Sequence, residues 1–149
     1  MAGLVPNPSE ALLTMQITYQ DTADGIESNN LKGFFVGWPN PPSLETHLRI
    51  LKGSDYVVLA VSADGKVIGF ISAISDGVSC AYIPHLEVLP EWQGIGIGSN
   101  LVRRMVRKLK DLYMIDLICD QEIQIFYERL GFEKARGMIV RNFERQACD

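Results

Sequence analysis

The sequence predicts a mixed α/β domain whose central sheet starts antiparallel and is flanked by helices. Three observations carry this. A two-residue hairpin turn, Asp64-Gly65, and a second turn at Asp76-Gly77 separate three strand-like runs: Tyr56–Ser62, Lys66–Ser75 and Cys80–Val88. Apolar residues at helical spacing, Leu101, Val102, Met105, Val106 and Leu109, mark a helix from Ser99 to about Lys110. A glycine-rich loop joins the third strand to that helix, the order that a crossover unit requires.

The other elements follow in order. Residues 1–14 read as a loose N-terminal extension, and Met15 to Tyr19 alternates like a first strand. Asp21 or Thr22 is placed to cap a short helix to about Asn30. Leu31–Pro42 (LKGFFVGWPNPP) is broken by glycines and prolines and is rich in aromatics. Ser43, with Glu45 and Thr46 behind it, opens a second helix that Gly53 stops. Pro84 inside the Cys80–Val88 strand calls for an edge position or a bulge. Tyr113–Cys119 is the next strand, and Gln121–Arg129 is a helix ended by Gly131. Phe132–Ala135 and Met138–Phe143 read as closing strands. No linker divides the chain, so residues 1–149 form one domain.

Composition narrows the function. Of 149 residues, 47% are hydrophobic and 21% charged, which suits a globular domain with its own core. Lys+Arg number 14 against 18 Asp+Glu, a net charge of −4, which argues against general nucleic-acid binding. Cys80, Cys119 and Cys148 are odd in number and far apart, so no disulfide framework or cysteine zinc site is expected. No apolar run approaches the roughly 20 residues of a membrane span. The N-terminus has no basic segment before its short apolar run. A cytoplasmic protein, with no membrane partner and no metal, is the expectation.

The sharpest local signal is Gln93-Gly94-Ile95-Gly96-Ile97-Gly98-Ser99. Glycines let backbone N–H groups turn inward and a ligand come close. A helix N-terminus adds unpaired donors and partial positive charge, so the two together suit a phosphate or pyrophosphate. The same loop serves equally as a tight strand-to-helix turn. It lacks the lysine of a P-loop. Its alternating glycines and the hairpins before it disfavour a dinucleotide fold, although Asp116 stands near the expected distance.

Gln93–Gly98 fits the Q/R-x-x-G-x-G/A motif and so resembles the GNAT N-acetyltransferase superfamily. Leu86-Glu87-Val88-Leu89-Pro90 looks like the end of that family's fourth strand. Phe126-Tyr127-Glu128-Arg129-Leu130-Gly131-Phe132 is similar to its second signature, a tyrosine helix running into a Gly-Phe strand. The resemblance covers roughly Tyr56–Phe143; residues 1–55 match only in element order. It implies a sheet splayed between strands 4 and 5 to admit acetyl-CoA as acyl donor, attacked directly by an amine acceptor.

The resemblance also implies roles. The amides of Gly94, Ile95, Gly96, Ile97, Gly98 and Ser99, with Gln93, hold pyrophosphate. The backbone of Leu86, Glu87 and Val88 pairs with the pantetheine arm, and the Val88 N–H polarises the thioester carbonyl. Tyr127 protonates the departing thiolate. Many members carry Asn seven residues before the tyrosine and Ala four before it. Here Asp120 and Ile123 stand there, so Asp120 contacts the pantetheine arm, faces the acceptor or caps the following helix.

Other assignments rest on the residues themselves. Glu87 is the first candidate for general base and shares a strand face with His85. An exposed Glu–His pair is the alternative. Phe34 and Trp38 line a loop suited to gripping an acceptor, or equally to a hydrophobic plug or dimer contact. The length neither requires nor forbids a homodimer. The expected activity is acetyl transfer to an amine of a small molecule. The alternative is a non-catalytic acyl-CoA-binding sensor on the same fold.

Overall fold

The computed structural model describes residues 16–149. The extension expected over residues 1–14, and Met15 of the expected first strand, lie outside the described residues. Five strands form one sheet in chain order: β1 (Ile17–Gln20), β2 (Tyr56–Ser62), β3 (Val67–Ser75), β4 (Cys80–Val88) and β5 (Met114–Asp116). The first four pair antiparallel and β5 lies parallel to β4. Among the described residues three α-helices accompany them: α1 (Leu44–Gly53), α2 (Ile97–Lys108) and α3 (Gln124–Glu128). Among the described residues no helix is long and apolar enough to cross a membrane.

The alternation along β2 explains the layering. Val57, Leu59 and Val61 turn to one face, with Phe70, Leu31, Phe35 and Leu51 of α1. Val58 and Ala60 turn to the other, with Ile68, Ile71, and Leu101 and Met105 of α2. α1 starts where Ser43 predicts, its hydroxyl accepting the Thr46 N–H at 3.1 Å. α2 lies tight on β3 because residue 69 is glycine. A Cβ there would sit 3.1 Å from Leu101 Cδ1 and 3.2 Å from Ile97 Cγ2.

Pro84 meets both conditions that its chemistry sets. Ser72 pairs with His85 but Ile74 with Tyr82, so Ile83 and Pro84 bulge opposite Ala73 alone. The β4–β5 ladder ends at Tyr82↔Asp116, although β4 runs on to Val88. The two strands therefore part, leaving the far half of β4 with a free edge.

Four expectations need correction. No helix follows Asp21: Thr22 Oγ1 takes the Asp24 N–H at 3.0 Å, Gly25 turns left-handed, and only a 3-10 turn, Ser28–Leu31, forms. The strand expected over Tyr113–Cys119 keeps three residues, because β4 bulges away beyond them. The helix expected over Gln121–Arg129 splits into a 3-10 turn, Gln121–Ile123, and α3. Phe132–Ala135 and Met138–Phe143 are not strands. A strand exists only within a ladder, and the short β5 beside them offers no pairing.

Candidate active site

The loop after β4 turns on glycines with positive φ, Gly94 at +82° and Gly96 at +93°, and Gly96 caps α2. The first intrahelical bond is Asn100 N–H to Gly96 C=O at 3.0 Å, so the preceding amides of the turn point free. The first turn carries no acidic residue, leaving its positive end uncompensated. A Cβ at Gly98 would meet Phe126 Cζ at 3.6 Å and Val88 Cγ2 at 3.7 Å, so α3 leans over this turn. On the exposed side of α2, Arg104 stacks on Tyr19 and Lys108 pairs with Asp21, both away from the loop.

The free edge of β4 has a definite polarity. Leu89 N–H bonds to Ile68 C=O at 2.9 Å. In an antiparallel ladder alternate residues then turn their N–H and C=O away from the partner strand, and here those are Val88 and Leu86. Gln93 Nε2 reaches the outward Val88 carbonyl at 2.9 Å and ties the loop to the strand. The arrangement offers an extended ligand a ladder edge leading to a helix N-terminus.

His85 and Glu87 share the face opposite to α2. Both Glu87 carboxylate oxygens accept the Phe35 N–H, Oε2 at 2.7 Å and Oε1 at 3.0 Å. Burial pushes the Glu87 carboxyl upward, against the pull of the Phe35 and Val36 amides. Phe35 holds φ +59°, rare for a bulky residue. His85 Nδ1 lies 3.2 Å from Ser72 Oγ, and burial lowers its pKa. Phe34 and Phe35 fill the space between α1 and the sheet, while Trp38 stays 39% exposed at the loop's end. The loop is thus a plug at its start and an open aromatic surface at its end.

His47 was not a candidate from sequence. It is 1% exposed, ringed by Phe34, Phe35 and Phe70, and its Nε2 has no partner among the described residues. Burial, with His85 nearby, lowers its pKa to about 4. Its place in an amphipathic helix gave no hint, because the rings around it come from distant segments.

Tyr127 lies across the sheet, in the core on the α2 side, against Phe126 and Phe132. Burial, with Cys119 beside it, pushes its hydroxyl up to about 12, so it stays protonated. It lines a cleft of about 600 Å³ between β5 and the chain after Phe132. Cys119 lines the same cleft, its thiol held above the usual range by burial and Asp120. Asp120 takes the N-cap position of the 3-10 turn but makes no capping bond with its side chain. Neither Leu86–Val88 nor the glycine loop lines this cleft. Glu87 and Tyr127 thus lie on opposite faces of the sheet.

The profile of the family described as acetyltransferase (GNAT) family matches residues 24–132. GCN5-related N-acetyltransferase 2, chloroplastic, of Arabidopsis thaliana is 34% identical over 118 residues, 66% of this chain and 46% of that protein. Serotonin N-acetyltransferase 2, chloroplastic, of Oryza sativa subsp. japonica is 32% identical over 136 residues, 84% of this chain and 68% of that one. A presumed acetyltransferase from Deinococcus radiodurans R1 has a crystal structure that superposes with a TM-score of 0.88 at 48% identity, over 90% of this chain and 94% of that one. The chain spans 46% to 59% of the first curated relatives it matches.

Proposed function

The chain belongs to the GNAT acetyltransferase family, and on that premise we propose that it moves an acetyl group from acetyl-CoA to a primary amine of a small-molecule acceptor. One observation carries the proposal. The outward edge of Leu86 and Val88 leads directly to a helix N-terminus with no acid in its first turn. A thioester on an extended, pyrophosphate-tailed arm fits that line of donors.

The residues divide the work. Gly94–Ser99 amides and Gln93 bind the pyrophosphate, and the Leu86–Val88 edge pairs with the arm. Val88 N–H donates to the thioester oxygen as it gains charge. Glu87 draws in the ammonium and accepts the proton the nitrogen must lose. One N–H from Phe35 leaves the carboxylate with lone pairs to spare. As the new C–N bond forms and the C–S bond breaks, Tyr127 gives its proton to sulfur and regains one from water. The products are the N-acetyl amine and free CoA thiol. Asp120, not engaged in capping, adds negative potential for a cationic acceptor. His85 and the open ring of Trp38 favour an amine on an aromatic body, and the rice relative is named for such an amine. The separated free cysteines suit a reducing compartment, and the cytoplasm is the proposed location.

A second reading, an acyl-CoA sensor without turnover, draws on the Phe35 N–H that already occupies Glu87. Calorimetric titration with acetyl-CoA, with desulfo-CoA and NAD⁺ as controls, tests both. Acetyl-CoA binding without NAD⁺ binding is expected; folded protein that binds no CoA overturns both readings. Thiol release across a panel including serotonin, tryptamine and spermidine then separates enzyme from sensor. Silence across that panel favours the sensor.

A further inference from the structure

Ser72 and His85 are a cross-strand pair of β3 and β4, with Ser72 Oγ 3.2 Å from His85 Nδ1. Ser72 is wholly buried, and among the described residues its hydroxyl has no other hydrogen-bond partner. A buried hydroxyl proton needs an acceptor, and Nδ1 is the one in reach. Ser72 therefore donates, Nδ1 accepts, and the neutral ring carries its proton on Nε2. Burial favours that neutral ring. The two nitrogens of an imidazole look out of nearly opposite sides of the ring, so Nε2 looks away from Ser72. It has no partner either, yet among the described residues the one side-chain atom both sealed and unpartnered is His47 Nε2. The Nε2–H of His85 is thus open to a ligand.

We infer that His85 is a specificity residue that donates its Nε2–H to a neutral carbonyl oxygen of the acceptor, and that Ser72 is the positioning residue that holds this tautomer. Glu87 follows two residues later on the same face, about 7 Å along the strand. An ammonium drawn to Glu87 brings a carbonyl a few bonds away beside His85. A carboxylate there would meet the negative charge of Glu87; an amide oxygen would not. The acceptor class is therefore an α-amino amide. With Nδ1 engaged and Nε2 protonated, His85 has no lone pair for the proton that the amine loses, and Glu87 keeps that task. The tautomer stands on the geometry alone; its use on an acceptor rests on the acetyl-transfer reading.

Two readouts test it. Long-range ¹H–¹⁵N spectra of the wild type should show His85 as the Nε2–H tautomer, and Ser72→Ala should mix the two tautomers. An Nδ1–H ring in the wild type overturns the inference. Thiol release should give a kcat/KM about 3–10-fold higher for phenylalaninamide than for phenethylamine, which lacks only the carboxamide. His85→Leu should bring that ratio to about one, and His85→Gln, which keeps an N–H, should retain part of it. A purely structural His85 would slow both amines equally, and a ratio that His85→Leu leaves unchanged sinks the proposal. Should His85→Leu fail to fold, His85→Gln and the wild-type spectra decide. If neither amine is acetylated, acetyl transfer itself fails. Spectra with desulfo-CoA and phenylalaninamide then read the donor directly: a shifted His85 Nε2 signal upholds it, and an unmoved one refutes it.

Discussion

The Phe35 amide donates to both carboxylate oxygens of Glu87 across 52 residues of chain, at 2.7 Å and 3.0 Å. This bond holds the aromatic loop on the sheet with Phe35 in a left-handed conformation. Glu87 therefore positions the loop. Glu87→Ala removes a charged acceptor from a part-buried N–H and should cost about 2 kcal/mol in chemical denaturation. Glu87→Gln keeps one amide oxygen for Phe35 and should lose less. Equal stability for all three proteins would mean that the bond holds nothing.

His47 makes stability depend on pH. Its folded pKa is about 4 against 6.5 in the open chain, because burial disfavours the charged ring. Below about pH 6.5 the unfolded chain takes up a proton that the fold refuses. The neutral ring's contribution is complete above that pH and falls away toward about pH 4, by on the order of 3 kcal/mol. Urea midpoints at about pH 7 and about pH 5 read it. His47→Leu should flatten the difference; an unchanged slope would assign it to other groups.

Tyr127→Phe keeps the ring packing on Phe126 and Phe132 and removes only the hydroxyl. Thiol release should slow about 10²-fold, with acetyl-CoA affinity unchanged. A loss under twofold would leave Tyr127 as a core aromatic.

Two glycines on the same path should respond differently. Gly69→Ala drives a Cβ into Leu101 and Ile97 and should destabilise by about 1–3 kcal/mol. Gly98→Ala meets only ordinary contacts and sits inside α2, so stability should hold or rise by about 0.5–1 kcal/mol. If the turn holds pyrophosphate, Gly98→Ala weakens acetyl-CoA binding in calorimetry without loss of fold. Unchanged affinity would place the anion elsewhere.

Much of this was legible because its causes are local. The positions of the Asp-Gly turns, the Ser43 cap, the apolar stripe of α2 and the need for a bulge at Pro84 are all written within a few residues, although the turn at Asp64-Gly65 takes four residues between β2 and β3 rather than two. The glycine loop and the tyrosine signature lie in sequence order and pointed to the family. The Glu87–Phe35 bond was not legible, since periodicity speaks only of neighbours. Phe35 is also not a residue type that announces a left-handed turn. His47 sits on a helix face like any polar residue until distant rings close over it. The closing strands show the opposite limit: alternation records strand propensity, but a ladder also needs a partner.

The bulge at Ile83–Pro84 acts on the site as a frameshift acts on a message. Counted by twos from Tyr82, an unbroken β4 would turn Pro84, Leu86 and Val88 toward Phe35 and send His85 and Glu87 into the α2 core. The one extra residue inverts the parity of everything after it. The carboxylate then meets the loop, and Val88 meets Gly98. Deleting Pro84 would remove the extra residue and leave His85 and Glu87 on the face they hold, whereas drawing the strand straight with Pro84 in place would turn this half inside out.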